Sequence, residues 1–172
     1  MEDFMHLAAE RYSVRKYSDR QIEKEKLEKI LEAANIAPTG HNCQPQKIYV
    51  VQSREGLGKL ASLSPCTFGA PTVLLIAYDR DKDWKNPYES GVHSGEEDAS
   101  IAATFMMLEA WELGIGSCWV NMFPNTKTRE AFGLPENIQP VLLMPMGYAA
   151  EGSHPSHYHS EFPEKDTMVQ YL

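Results

Sequence analysis

The sequence predicts an α+β or three-layer fold in which helices pack on a sheet of buried strands. The predicted elements follow the order helix, helix, strand, helix, strand, helix, strand, helix, strand, which favours layers of helices on a sheet. Residues 99–111 are almost entirely apolar, a pattern typical of a helix buried at the centre of a domain. Residues 71–80, PTVLLIAYDR, are rich in branched side chains and predict a buried strand. A chain of 172 residues can form a single domain, residues 1–172, with its own core.

The first half of the chain contains the clearest predicted helix, QIEKEKLEKILEAANIA at residues 21–37. Its apolar positions recur with helical spacing and charged residues fill the opposite side. Pro38 and Gly40 are predicted to end it. The other elements predicted in this half are a short helix at residues 3–12, a strand at residues 46–53 and a short helix at residues 56–65.

The second half is predicted to begin with a polar loop at residues 81–94, followed by the apolar helix. Ser94 and Glu97 have the spacing of a capping box, in which each side chain caps the backbone of the other residue. The acidic residues at this helix start are interpreted as a solvated run favoured by the helix dipole. Gly114 is predicted to end the helix. The later predictions are a strand at 116–123, a helix at 126–133, a strand at 139–149, and an apolar end at 167–172 as a candidate strand for another subunit.

Composition and charge exclude several classes of function. A net charge of −8 argues against a broad nucleic-acid-binding surface, and 42% hydrophobic with 23% charged residues is ordinary for a globular protein. No apolar run approaches the roughly 18 residues that a membrane span needs, and the acidic N-terminus lacks a signal-peptide pattern. The three cysteines form no C-x-x-C pair, which fits free thiols in a reducing cytoplasm. We therefore expect a cytoplasmic protein that binds neither nucleic acid nor membranes.

A cluster of cations near the N-terminus interrupts this acidic composition. In ERYSVRKYSD, residues 10–19, Arg11, Ser13 and Arg15 stand at every second position. In an extended segment such residues point to the same side, so two guanidinium groups and a hydroxyl group would converge on one point. Guanidinium groups bind phosphate or carboxylate in a bidentate manner. One interpretation is a cradle for a phosphorylated small molecule, and the alternative is a solvated turn after a short helix.

Two further stretches could face a planar polar ligand, and a third could not bind a dinucleotide. APTGHNCQPQ, residues 37–46, concentrates hydroxyl, imidazole and amide groups between two prolines, although such a run more commonly serves as a helix stop. In MPMGYA, residues 144–149, a proline and a glycine end a buried strand where the backbone could approach a flat ligand. ELGIGSCWV, residues 112–120, fails the dinucleotide fingerprint because its glycines follow a helix and precede a strand. Gly114 and Gly116 are therefore interpreted as a helix cap and a close-packing position.

Taken in order, these stretches resemble the nitroreductase-like family of FMN-dependent flavoproteins, in a small single-domain form. The matching segments are RYSVRKY, APTGHNCQPQKIYVV, AATFMMLEAWELGIGSCWV and LLMPMGY, and the resemblance covers nearly the whole chain. The resemblance implies a three-layer nitroreductase-like fold, with a mainly antiparallel sheet flanked by helices. It also implies a homodimer that binds FMN.

The resemblance implies roles in FMN binding for three segments. The N-terminal segment matches the family's cradle for the phosphate and the ribityl chain. APTGHNCQPQ, residues 37–46, matches the loop that lines the flavin, usually from the partner subunit. MPMGYA, residues 144–149, matches the segment near the reactive edge of the ring. No catalytic side chain and no metal ligand is expected. The residues expected to bind FMN are Arg11, Tyr12, Ser13, Arg15, Pro38, Thr39, Gly40, Asn42, Gln44, Pro145, Met146 and Gly147.

Two departures from the family pattern affect the expected site. Many members have Trp where this chain has Gln46, and many have a Lys or Arg near the C-terminus that touches the phosphate. Here the corresponding region offers only His157, His159 and Lys165, so the phosphate contact is expected to be weaker or to come from a histidine. The histidines otherwise match no common zinc spacing and are interpreted as part of a solvated tail. Cys43, inside the flavin loop, leaves a redox thiol as a further alternative.

The function implied by the resemblance is hydride transfer from NAD(P)H, through FMN, to an acceptor such as a nitroaromatic, a quinone or free flavin. A single cleft over the flavin would serve both the donor and the acceptor, so no separate dinucleotide motif is needed. The alternative from another class is a flavin-binding sensor or storage protein without NAD(P)H turnover. A specialised flavin chemistry, such as flavin cleavage or reductive dehalogenation, is a third alternative. Those branches usually carry an extra substrate lid, for which the sequence gives no sign.

Overall fold

The structure is a computed structural model that describes residues 3–172, apart from the side chain of Lys165. From the first helix to the last strand, the elements alternate in the predicted order. The helices are α1 (Phe4–Glu10), α2 (Lys24–Ile36), α3 (Arg54–Leu63), α4 (Gly95–Glu112), α5 (Asn125–Ala131) and α6 (Lys165–Met168), and the strands are β1 (Gln46–Val51), β2 (Thr72–Asp79), β3 (Gly116–Ser117) and β4 (Ile138–Gly147).

The four strands form one antiparallel sheet in the order β1-β2-β4-β3. The central strand β2 is buried along its whole length, as its run of branched residues predicts. Because successive residues of a strand point to opposite faces, Leu74 and Ile76 join one core and Val73 and Leu75 join another. The first core packs against α2 and α4, and the second against α3 and α5. The predicted α+β, three-layer architecture with a mainly antiparallel sheet is therefore confirmed.

The start of α4 differs from the predicted capping box. Ser94 has a helical backbone conformation instead of the extended one that an N-cap residue adopts, and its side chain makes no cap hydrogen bond. Its hydroxyl group donates instead to Asp98 Oδ2 at 2.6 Å. The interpretation of the acidic run as solvated holds for Glu96 and Glu97, which are exposed, but is wrong for Asp98, which is 1% exposed.

The strand predicted at residues 116–123 is shorter in the structure. Only Gly116 and Ser117 form β3, and the pairing with β4 resumes as a single bridge between Val120 and Leu143. Opposite Cys118 the partner is Pro145, which accepts from the Cys118 N–H at 3.1 Å but has no N–H to return. The missing donor interrupts the ladder at that point.

The C-terminal tail does not join the sheet of its own chain. It contains a 3-10 turn at His157–Ser160 and α6, and residues 151–172 hold no described strand. A strand added to another subunit by residues 167–172 therefore stays a prediction. The three cysteines are free thiols in the structure. Among residues 3–172, we find no helix with the length and apolar character required to cross a bilayer.

Candidate functional site

The cation segment after α1 is extended, as its alternation predicts. Ser13 forms a parallel bridge with Ser117, and the Val14 N–H donates to the Ser117 carbonyl at 2.9 Å. Val14 is fully buried against Gly116, where a Cβ atom would come within 2.5 Å of the Val14 side chain. The close-packing role predicted for Gly116 is therefore confirmed. Because Val14 points inward, its neighbours in the alternation face the opposite way.

Arg11, Ser13 and Arg15 line a cavity of about 580 Å³. The extended segment forms one wall, α1 forms a second wall, and the C-terminal tail forms a third. In the part of the chain that the structure describes, no acidic side chain lines this cavity. We call it the cradle. Its lining residues are Met5, Ala8, Ala9, Arg11, Tyr12, Ser13, Arg15, Ser156, Tyr158, His159 and Phe162.

The positive charge of the cradle is not neutralised by neighbouring carboxylates. Among residues 3–172, neither Arg11 nor Arg15 forms an ion pair. Arg15 Nη1 donates only to the Ser13 carbonyl, at 3.3 Å. Glu10, the nearest acid in sequence, contacts His6 Nε2 at 3.3 Å instead. Two guanidinium groups without a carboxylate partner among the described residues, in a protein of net charge −8, form a site that favours an anion.

Two neutral polar groups, Cys118 and Tyr17, lie next to the extended segment of the cradle. Burial raises the pKa of the Cys118 thiol, and this effect exceeds the opposing influence of Arg15 and Ser13. Burial likewise raises the pKa of Tyr17, whose hydroxyl group lies 2.7 Å from the Val14 carbonyl and 2.9 Å from the Pro145 carbonyl. Both groups therefore stay protonated near neutral pH and leave the charge of Arg15 intact. Sequence reasoning missed Cys118 because its contact with the cradle joins segments about a hundred residues apart in the chain.

The tail is held against the cradle by contacts with the same extended segment. The Tyr12 hydroxyl group donates to Ser153 Oγ at 3.4 Å, and Lys16 Nζ donates to the Glu151 carbonyl at 2.9 Å. His159 thereby lines the cradle, with its ring centroid 6.4 Å from that of Tyr12. His157 instead packs on the neighbouring tyrosine ring and does not line the cavity. The side chain of the third predicted candidate, Lys165, lies outside the described part of the structure.

The polar loop at residues 38–44 lies far from the cradle of the same chain. Its Gly40 N–H donates to Asp98 in the first turn of α4, at 2.7 Å. Trp111, in the last turn of α4, packs edge-on against Tyr12 of the cradle, with ring centroids 5.2 Å apart. The 18 residues of α4 span roughly 27 Å. Pro38, Thr39, Gly40, Asn42 and Gln44 therefore do not join Arg11, Tyr12, Ser13 and Arg15 within one chain.

The strand-end segment lies behind the cradle. The Pro145 carbonyl accepts from the Cys118 N–H at 3.1 Å, and Met146 is fully buried. A Cβ atom at Gly147 would come within 3.0 Å of Pro71, so close packing inside the chain accounts for this glycine. None of the three residues lines the cradle, and their expected place near the flavin ring stays a prediction.

Comparisons with known proteins agree with this architecture. The model of the Nitroreductase family matches residues 8–64 and 59–148. A protein of Archaeoglobus fulgidus with the provisional name NADH dehydrogenase/NAD(P)H nitroreductase is 38% identical over 157 residues, which cover 86% of each chain. The crystal structure of a nitroreductase family protein from Clostridium difficile 630 is 42% identical, with a TM-score of 0.91 and 98% of each chain covered. An FMN-dependent nitroreductase from Clostridium difficile R20291 is 29% identical, with a TM-score of 0.79 and 98% of each chain covered.

Proposed function

The chain belongs to the nitroreductase family, and from this membership we propose that it is an FMN-dependent oxidoreductase that uses NAD(P)H to reduce a small acceptor. The names of its relatives support the use of NAD(P)H and of FMN. A nitroaromatic, a quinone or free flavin is the proposed class of acceptor. Residues 1–172 form the proposed single FMN-binding domain.

The observation that carries this proposal is the unpaired charge of Arg11 and Arg15 in the cradle. The terminal phosphate of FMN is close to dianionic at neutral pH, and it offers three acceptor oxygens. Two guanidinium groups and the Ser13 hydroxyl group supply the matching donors. The donor set and the 580 Å³ cavity therefore fit a phosphorylated cofactor.

Bound FMN would supply the redox chemistry, by accepting a hydride from NAD(P)H and passing the electrons to the acceptor. The chain's own residues bind and orient the cofactor. The arginines hold the phosphate, while Tyr12 and the apolar side chains of α1 exclude water from that end of the site. Cys118 and Tyr17 stay neutral and do not compete with the phosphate for the arginines.

We propose that the protein is a homodimer, because the ring of the cofactor needs residues that its own chain does not bring to the cradle. The 38–44 loop lies at the start of α4, whereas the cradle lies at its end, so the loop would reach the flavin of a second subunit. An apolar groove of about 630 Å³ supports this arrangement, since single chains seldom leave such a surface uncovered. The groove runs between α1, α2 and α4, and its apolar lining includes Phe4, Leu7, Ile36, Phe105 and Leu108.

Anaerobic reduction tests the proposed activity. The purified protein, loaded with FMN, should lose its flavin colour when NADH or NADPH is added without oxygen, and a nitroaromatic or a quinone should restore the colour. Steady-state rates should give parallel double-reciprocal plots, because one cleft serves the donor and the acceptor in turn. If the protein binds FMN but neither nicotinamide bleaches it, the flavin-binding sensor or storage function replaces the oxidoreductase.

A further inference from the structure

We infer that Asp98 is a positioning residue, whose buried carboxylate holds the 38–44 loop in the conformation that contacts FMN bound to the partner subunit. The inference rests on the proposed function, because it takes this loop as part of the FMN site. Asp98 itself touches neither the cofactor nor a substrate in this account. It acts through Gly40, the residue that it binds.

The Asp98 carboxylate is fully enclosed and both of its oxygens are used. Its Oδ1 atom accepts from the Gly40 N–H at 2.7 Å, and its Oδ2 atom accepts from the Ser94 hydroxyl group at 2.6 Å. Ser94 Oγ in turn accepts from the Trp84 N–H at 3.2 Å. A carboxylate removed from water is costly unless hydrogen bonds compensate it, and bonds to a charged acceptor are the strong ones. This buried group therefore fixes the geometry of whatever it binds.

The helix dipole alone does not account for the position of this carboxylate. Three acids occupy the first turn of α4, and the dipole favours all of them there. Glu96 and Glu97 remain exposed, whereas Asp98 is 1% exposed and turns towards the loop. The bond to Gly40 distinguishes Asp98 from its two neighbours.

The 38–44 loop has an unusual backbone that depends on outside support. His41, Asn42 and Gln44 have φ values of 50°, 56° and 50°, in the left-handed region that residues other than Gly, Asn and Asp rarely adopt. Bonds inside the loop, such as Gln44 Nε2 to Asn42 Oδ1 at 2.8 Å, shape the turn without fixing it to the fold. Within residues 3–172, the Gly40 bond to Asp98 is the one hydrogen bond that joins residues 38–44 to the rest of the chain.

Close packing at Gly40 supports the same role. A Cβ atom on Gly40 would lie 2.8 Å from Ser94 Oγ and 2.9 Å from Ser94 Cβ. The backbone of the loop therefore rests directly on the residue that donates to Asp98. The hydrogen bond and the contact together fix the position of the loop against the start of α4.

The test compares FMN with riboflavin, which has the same ring and lacks the phosphate. Because the loop is proposed to contact the ring end, Asp98→Ala should weaken both ligands by the same factor, about ten- to a hundredfold, and leave their affinity ratio unchanged. Asp98→Asn keeps an oxygen acceptor for Gly40 and should recover part of the loss. Asp98→Asn should also shift the visible absorption of bound FMN, because a displaced loop changes the surroundings of the ring. A change at a purely structural residue would not shift this absorption. Glu97→Ala, at an exposed position of the same helical turn, is the matched control and should change neither affinity.

The outcomes separate this inference from the proposed function. If the wild-type protein binds no flavin, both fail. If the wild type binds FMN, and Arg15→Ala lowers the FMN-to-riboflavin ratio, the FMN site of the proposed function stands, and the anaerobic reduction tests its activity separately. In that case Asp98→Asn must alter riboflavin affinity and the flavin spectrum. Unchanged values in folded Asp98→Asn and Ser94→Ala proteins would overturn the inference, even if Asp98→Ala fails to fold.

Discussion

At the scale of single residues, the proposed FMN site depends on two arginines that have no carboxylate partner in the described chain. Arg11→Ala and Arg15→Ala should each weaken FMN by about ten- to a hundredfold, because each removes hydrogen bonds to a charged phosphate. Riboflavin affinity should change little. Titration of the apoprotein, followed by flavin fluorescence, measures both constants. Arg54→Ala, which removes an exposed arginine from α3, is the matched control. Equal losses for the two ligands would contradict the phosphate assignment.

His159 adds a ring nitrogen donor to the lining of the cradle. The ionisable groups that share the cavity with it are Arg11, Tyr12, Arg15 and Tyr158. A histidine ring N–H can donate to a phosphate oxygen, and riboflavin offers no such acceptor. The FMN-to-riboflavin affinity ratio should therefore fall when this donor is removed.

Two variants test this donor at one fixed pH. His159→Phe keeps a ring and lacks the donor, so it should lower the ratio. His159→Arg keeps donors for the phosphate and should hold the ratio near the wild-type value. An unchanged ratio in His159→Phe would remove His159 from the phosphate site.

The sequence predicted one wall of the cradle, where its signals are local. The alternation of Arg11, Ser13 and Arg15 follows from the period of an extended segment, and the structure brings them to one cavity. Cys118 and Asp98 were not predicted as parts of a site, since their importance depends on contacts with Ser13 and Gly40, which are distant in the chain. No periodicity or motif reports such pairs.

At the scale of elements, a polar network attaches the start of α2 to the end of β4. The Tyr148 hydroxyl group donates to Glu23 Oε2 at 2.6 Å, and Arg20 pairs with the same carboxylate. Lys26 Nζ donates to the Leu113 carbonyl at 2.6 Å, so the end of α4 joins the network. The bond from Tyr148, more than the pairing with Arg20, lowers the pKa of Glu23 from 4.5 to about 2.

This shift predicts a pH window for the stability of the α2 attachment. A carboxylate with a lowered pKa stabilises the fold above its unfolded pKa of 4.5, and the contribution is lost as the pH falls towards 2. Glu23→Gln should therefore lower the thermal midpoint at pH 7, and the difference from the wild type should shrink between pH 4.5 and pH 2. Circular dichroism melting at several pH values measures this. A difference that stays constant across the window would contradict the assignment.

The order and type of the elements were predictable, while their ends were less so. Apolar periodicity predicts α2, and branched residues predict β2, because burial on one or both faces dictates those patterns. The strand after α4 was predicted too long, since the interruption comes from Pro145 on the neighbouring strand. The cap of α4 was predicted wrongly because Ser94 binds Asp98, whose burial depends on the distant loop.

At the scale of the whole molecule, the apolar groove predicts a dimer of about 39 kDa, twice the 19.4 kDa of one chain. Ile36→Asp places a charge in the groove at a position that is 68% exposed in a single chain, so the subunit should fold but remain a monomer. Bound FMN should be lost with the dimer, because an interface ligand stabilises the state that binds it. Sedimentation and flavin absorbance measure both effects.

Met122→Asp is the matched control for the groove. Met122 is 63% exposed and does not line the groove, so the same change there should leave the dimer intact. A wild-type monomer that keeps its FMN would contradict the shared site. The resemblance to the nitroreductase-like family implied a dimer, but the sequence could not place the proposed interface, because α1, α2 and α4 form that surface together.

The most direct test of the shared site is subunit complementation. One variant, Arg11→Ala with Arg15→Ala, removes the cradle charges, and the other, Gly40→Val, displaces the loop from Ser94. Each variant alone should be a dimer without bound FMN. When the two are unfolded, mixed and refolded together, half of the dimers should contain one chain of each kind. Every such dimer has one intact site, so FMN should return to about one site in four. If mixing restores no FMN, each chain builds its own site, and the account of a site shared between two subunits is wrong.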